Sequence, residues 1–265
     1  MKNLNIDYKF WFSKNGYYSD TELTKEVKTG LDHAKKAGLI NSHVEDLKTN
    51  KDLIKVIEGK IKEKSNLNEY LDDDLLIIFD LIQGWGGPTG MRPYVKPKAN
   101  PSRMNQEKLY AQTYREAVEM LYEIDKDNYA YDPDIKNIKN KIEKLPFVGV
   151  SFSTKHLSFW SRSLDNCPEL VIFDKKLRNI FSACNKQCNI AYKEFLESFS
   201  DNLAPKSAEG LNMFKKEAAI FAFSNNYFLN EELVLKKKEQ FKIEHKDEGI
   251  ARELVSNHNP KSIKS

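Results

Sequence analysis

At 265 residues, 40% hydrophobic and 31% charged, the chain is long enough to bury a substantial core as one large domain or as two lobes. Its 42 basic and 39 acidic residues leave a net charge of +3, too even a balance to argue for a nucleic-acid partner by itself. No stretch approaches the ~18–20 apolar residues of a membrane span, and the N-terminus MKNLNIDYKFWF has no secretory h-region or small-residue cleavage site, so a cytoplasmic protein without membrane attachment is expected.

Residues 1–20 are rich in aromatics, and Asn15-Gly16 is a turn signal, which predicts a short strand or hairpin capping the core. From Thr21 to Ile61, Leu23, Val27, Leu31, Ala34 and then Leu47, Ile54, Ile57 and Ile61 recur at helical spacing, with Gly30 and Gly38 as breaks. Tyr70 to Gln83 reads as a buried helix, carried by the apolar run Leu75 to Phe79. The next stretch, Gln83 to Tyr94, holds four glycines and two prolines and reads as loop. In such a loop glycines let backbone approach a ligand, Trp85 offers a stacking plane, and Arg92 can hold a phosphate or a base edge. A structural loop whose Trp85 fills the core fits the same residues.

Loop continues over 95–106, with Lys96, Lys98 and Arg103 expected to be exposed. Helix resumes from about Gln106 to Ile124, with Leu109, Thr113, Ala117, Met120 and Leu121 on one face. After the polar turn Asp125 to Pro133, the stripe Ile135, Ile138, Ile142 predicts a further buried helix. Beyond Asp174, the spacing of Leu177, Ile180, Phe181, Ile190, Phe195 and Phe199 predicts helices, followed by a long one from Ala208 to Leu229. The charged tail after Asn230 is helical in part and frays from Asn257. The reading is mainly α, with few or no strands, and with divisions 1–94, 95–230 and 231–265 in which the loop at 84–101 separates two helical lobes. Cys167, Cys184 and Cys188 form no even disulfide set and fall short of a four-thiolate cluster, so ordinary reduced thiols are expected. The five histidines show no metal-ligand spacing.

One stretch carries chemistry: Leu145 to Arg178, LPFVGVSFSTKHLSFWSRSLDNCPELVIFDKKLR. Ser151 or Ser153 can cap a helix running through Lys155, Leu157, Phe159 and Trp160, which puts Lys155 in its first turn. There the helix dipole and an apolar neighbourhood disfavour the ammonium and free its amine as a nucleophile. Nineteen residues later Asp174 closes the apolar run Leu170 to Phe173 and opens a new helix, where dipole and backbone N–H groups keep a carboxylate ionised.

Leu145-Pro146, a small-residue turn, Thr154-Lys155, an apolar helix and an aspartate nineteen positions on together resemble the helix-hairpin-helix DNA glycosylases of the 8-oxoguanine branch. The likeness covers Leu145 to about Phe228, and a tryptophan-glycine-glycine segment followed by an arginine, here Trp85 to Arg92, resembles bacterial proteins of that fold. The family's Gly-apolar-Gly-Thr-Lys hairpin is Ser151-Phe152-Ser153-Thr154-Lys155 here. Since serine lacks glycine's freedom at positive φ, either Gly149 is the flexible point or the hairpin is divergent. The resemblance implies a two-lobed helical glycosylase fold acting on a base flipped out of double-stranded DNA. It makes Lys155 and Asp174 catalytic, with Lys155 capturing C1′ and Asp174 stabilising the sugar cation, and an associated AP lyase step through a Schiff base. Candidates for the base pocket are Trp85, Phe152, Phe159, Trp160 and Phe221, each of which singly suits a core position as well. Arg92, Ser151, Ser153, Thr154, His156, Lys175 and Lys176 are candidate DNA contacts, His156 alternatively a packing residue. No cofactor is expected beyond a monovalent cation at the hairpin, and no obligatory protein partner. The substrate is an oxidised purine such as 8-oxoguanine, or a hypermodified phage base such as glucosylated hydroxymethylcytosine in anti-phage defence. Two alternatives stand beside it: a non-enzymatic helix-hairpin-helix DNA-binding module, and a monofunctional glycosylase in which Asp174 activates water.

Overall fold

The structure, a computed structural model, describes residues 4–15, 22–36, 38–40, 44, 46–87, 89–90, 103–128, 131–185, 190–201, 206–229 and 232–258. In chain order the helices are α1 (Tyr8–Ser13), α2 (Lys25–Lys36), α3 (Asn50–Lys62), α4 (Asp72–Trp85), α5 (Glu107–Tyr122), α6 (Lys136–Glu143), α7 (Val150–Ser161), α8 (Lys175–Asn185), α9 (Tyr192–Asp201), α10 (Met213–Tyr227) and α11 (Glu248–His258). No strand occurs among the described residues, where β pairing amounts to two isolated bridges, Glu22 with Thr49 and Phe228 with Leu235. The expected Arg92, Tyr94, Lys96, Lys98, Cys188 and the tail past His258 lie outside the described residues. The chain divides into two compact units, a central one, Gly16–Ile172, and a terminal one made of Met1–Asn15 with Phe173–Ser265. The sequence places its divisions elsewhere, around the 84–101 loop.

In the central unit α2, α3, α5 and α7 all pack on α4. Three aspartates in the first turn of α4, Asp72, Asp73 and Asp74, complement the positive end of its dipole, and Asp74 accepts a hydrogen bond from Leu71 N at 3.1 Å. The helix runs two residues further than the glycines suggest: Gly84 and Trp85 are helical, and Gly86 ends it. Gly84 is helical because its bare backbone lies against α2. Gly30 is no break either; it is buried inside α2, where an added Cβ would stand 2.4 Å from Gly84 O. Gly38, with φ +77°, does follow the end of α2, as expected.

Two further expectations fail for reasons of burial. Arg103 is 1% exposed instead of solvent-facing, because Asp80 of α4 takes its guanidinium at 3.1 Å and the Tyr110 ring lies beneath it. Leu109 is 46% exposed, since α5 turns Tyr110, Tyr114, Ala117, Val118 and Leu121 inward instead. Aromatic residues set that face, and the rotation moves the predicted stripe by about one residue.

In the terminal unit residues 8–13 form a helix where the sequence suggested a strand or hairpin. Asp7 caps α1 by accepting from Phe10 N, and Tyr8 and Trp11 bury the helix against α10. The buried carboxylate of Asp247 accepts from Trp11 Nε1 at 2.8 Å and from Asp7 N at 2.7 Å, joining the two ends of the chain. α8 packs on both α10 and α11.

The glycines give a test of opposite sign. Gly30→Ala gains about 1 kcal/mol of helix propensity, but its methyl meets backbone and the net expectation is a loss of about 1–3 kcal/mol in denaturant unfolding. Gly59, in α3 with open space at its Cβ position, is expected to stabilise by about 0.5–1 kcal/mol when changed to alanine.

Candidate active site

Where the sequence suggests a hairpin, α6 and α7 pack together in the central unit, joined by a six-residue turn at 144–149. Ile135, Ile138 and Ile142 are its buried stripe, as expected. The turn is closed by Leu145 N to Ile142 O at 3.1 Å and Val148 N to Leu145 O at 3.1 Å, and Tyr110 of α5 donates its hydroxyl proton to Pro146 O at 2.7 Å. Neither glycine nor serine supplies the left-handed residue. Gly149 has φ −95°, and Phe147, with φ 66°, is the one non-glycine residue at positive φ among the described residues. A left-handed L-residue costs about 1–2 kcal/mol.

α7 has its N-cap two residues before Ser151 and four before Ser153. Gly149 is its N-cap and makes no side-chain capping bond, so the first-turn amides are left to the backbone. Ser151 and Ser153 are therefore inside the helix, and Lys155 is in the second turn, beyond the first-turn position assigned from sequence. Its half-buried ammonium donates to Ser151 Oγ at 2.9 Å and lies 4.5 Å from the Phe152 ring centroid. Ser153 and Thr154 are fully buried, which corrects their assignment as DNA contacts. Ser153 donates to Glu143 Oε1 at 2.8 Å and clasps α7 to α6, while Thr154 bonds back to Val150 O at 2.9 Å.

His156 is also core. It is 0% exposed, with Tyr114 Oη 2.8 Å from Nδ1 and the Gln83 amide 3.0 Å from Nε2. Trp160 Nε1 donates to Tyr114 Oη at 2.7 Å, and Phe79 stacks on the imidazole at 4.7 Å. A neutral imidazole serves one neighbour as donor and the other as acceptor. Burial first, and then the charge of Lys155, push its pKa down to about 3. Packing is thus the role the structure gives His156, and a phosphate contact is not.

The pocket candidates divide in the same way. Trp85, Phe152, Phe159 and Trp160 are buried in the central unit, Trp85 edge-on to Phe159 at 5.2 Å. The glycines after Trp85 approach protein, not ligand: a Cβ on Gly86 would stand 2.2 Å from the Phe152 ring, and one on Gly90 2.1 Å from Gln83 O. Phe221, half-buried on α10 of the terminal unit, lies under Lys176 Nζ at 5.2 Å, and Lys175 is exposed.

Asp174 stands at the start of α8, as the sequence predicts, but in the terminal unit, whereas the sequence placed it with Lys155 in one region, 95–230. Its Oδ1 accepts from Leu177 N at 2.9 Å and its carbonyl from Arg178 N at 3.0 Å. Lys155 belongs to the central unit. No group of three or more histidine, cysteine, aspartate or glutamate side chains is gathered for a metal ion among the described residues. A monovalent cation at the hairpin would have to share carbonyls of Ile142, Leu145, Pro146 and Gly149 that already accept protein donors. Cys167 and Cys184 are buried and in no disulfide, and burial pushes the thiol of Cys167 up to about 12.

No family model, curated protein or solved structure matches the chain.

Residues the sequence reading passed over are Glu143, Phe147, Gln83 and Tyr114. The last two carried a signal, since each is polar on an otherwise apolar helical face.

Two measurements check this geometry. The folded pKa of His156 lies near 3 and the unfolded one near 6.5, so its contribution is full above pH 6.5. It falls as acid protonates only the unfolded chain, by about 1.4 kcal/mol per pH unit. The stability difference between wild type and His156→Gln is therefore expected to shrink by about 2–3 kcal/mol from pH 6.5 to 4.5 in urea titrations. At the α8 cap, Asp174→Ala is expected to cost about 1 kcal/mol, whereas Asp174→Asn, also a good cap, stays within about 0.5 kcal/mol of wild type.

Proposed function

We propose that the protein is a DNA N-glycosylase that excises a flipped-out modified base, with Lys155 as amine nucleophile and Asp174 stabilising the sugar cation. The observation that carries the reading is the pair of packed helices at 136–161, whose second helix has no side-chain bond at its N-cap, Gly149, and carries Lys155 in its second turn. Amides at a helix start suit a DNA phosphate, and a lysine on the same helix is then held near the sugar. Asp174 supports the reading through its place at a helix start, where a carboxylate keeps its charge.

In this reading the N-glycosidic pair departs with the base, which takes up a proton, while Asp174 offsets the positive charge on the sugar. The Lys155 lone pair forms a bond to C1′. Loss of the amine protons and opening of the sugar ring give a Schiff base, from which β-elimination expels the 3′ phosphate. An oxidised purine and a glucosylated hydroxymethylcytosine are both substrates of this chemistry.

One observation favours a second reading. The ring of Phe152 under Lys155 Nζ stabilises the ammonium over the free amine, as suits a phosphate contact in a non-enzymatic DNA-binding module.

Release of free base from duplexes holding 8-oxoguanine, other oxidised bases, hydroxymethylcytosine and its glucosylated forms tells the two apart. The glycosylase reading expects release from at least one substrate, lowered about 10²–10³-fold in Asp174→Asn and at least as far in Lys155→Gln. Release from none of them, with duplex binding retained, is the result the binding module expects.

A further inference from the structure

α10 ends in Asn225-Asn226-Tyr227, and two segments of the terminal unit, the start of α8 and the stretch that follows α10, bring lysines to that end. Lys176, from the first turn of α8, hydrogen-bonds to Asn225 Oδ1 with its Nζ over the Phe221 ring. Lys236 donates to Asn225 O at 2.6 Å. The side chain of Asn226 brackets the backbone of Ile243, Nδ2 to its carbonyl at 2.9 Å and Oδ1 from its N–H at 3.0 Å, which holds the segment carrying the exposed Lys242 against the end of α10. The charges act on one another: the pKa of Lys236 is lowered first by burial, then by Lys242 and by Lys176.

A helix C-terminus attracts cations, but it carries only about half a negative charge, less than Lys236 and Lys242 alone bring to it. Capping α10 therefore accounts for one lysine and not for the gathering of three. Holding like charges together costs energy that an anion relieves, and a chain of phosphodiesters relieves it at several points at once. We infer that Lys176, Lys236 and Lys242 form a phosphate-binding surface for the backbone of nucleic acid. The inference rests on the reading above for its choice of DNA, and it assigns that partner to residues outside the hairpin.

The test is fluorescence anisotropy of a labelled, unmodified duplex from about 50 to 200 mM salt. The combined variant Lys176→Gln, Lys236→Gln, Lys242→Gln is compared with Lys9→Gln, Lys55→Gln, Lys108→Gln, whose lysines are exposed elsewhere, and folding is checked by circular dichroism. The first set is expected to weaken binding and flatten the slope of log K against log salt by about 2–3. Lys242→Gln alone, at an exposed position, should flatten it by about 0.9, and the control set should keep the wild-type slope. Equal slopes in the two sets overturn the proposal. So does loss of binding to phosphatidylserine vesicles in the first set with duplex binding unchanged, which would assign the surface to a membrane. Because the duplex holds no modified base, a flattened slope without base release on any substrate keeps this surface and removes the glycosylase reading. Base release with an unchanged slope does the reverse.

Discussion

The central unit depends on a buried hydrogen-bonded chain that runs from Trp160 through Tyr114 and His156 to Gln83, linking α7, α5 and α4. Its members lie where water cannot serve them, so each bond contributes only about 1 kcal/mol when made, but a lone buried partner costs about 1–3 kcal/mol. That asymmetry fixes the rotation of α7 more firmly than apolar packing would. His156 and Trp160, four residues apart, must face inward. Ser151 and Lys155, also four apart, then fall on the half-buried side of the same helix. The orientation of the candidate nucleophile is thus a consequence of a core histidine kept neutral.

The hairpin extends the same logic to its own closure. Glu143 accepts from Ser153 and Lys139, so a hydroxyl that could have met a phosphate holds α6 to α7 instead. At the start of α7 Gly149 is exposed and Ser151 half-buried. Phe147 takes the left-handed position a glycine would occupy at lower cost, and its neighbour Pro146 is anchored by Tyr110. This hairpin therefore reaches its turn by a different residue from the glycine pattern it resembles, while retaining two packed helices and a lysine on the second.

Apolar periodicity made the helices legible, because α3, α4, α6, α8 and α10 bury stripes that recur at 3.6 residues. It misled where burial was decided by something other than apolar content. α1 is short and all but aromatic, and its helix is set by the Asp7 cap and by the fit of Trp11 against α10. Gly30 and Gly84 read as breaks by composition, although their lack of a side chain is what lets α2 and α4 meet inside regular helix. Arg103 read as surface because its partner, Asp80, is 23 residues away. In the candidate site Asp174 was legible from its place before a helix, whereas the role of His156 needed Tyr114 and Gln83 from two other helices. Of the lysines at the end of α10 only Lys176 was singled out from sequence, since Asn225 joins it to Lys236 in space and not in sequence.

The central claim is that Lys155 becomes covalently bonded to the sugar. Borohydride reduction during reaction, followed by proteolysis and mass spectrometry of the protein–DNA adduct, measures this directly. The account predicts a stable adduct on the peptide holding Lys155, present in wild type and absent in Lys155→Gln. Base release that proceeds at the wild-type rate with no adduct, or an adduct that maps to another lysine, would contradict it.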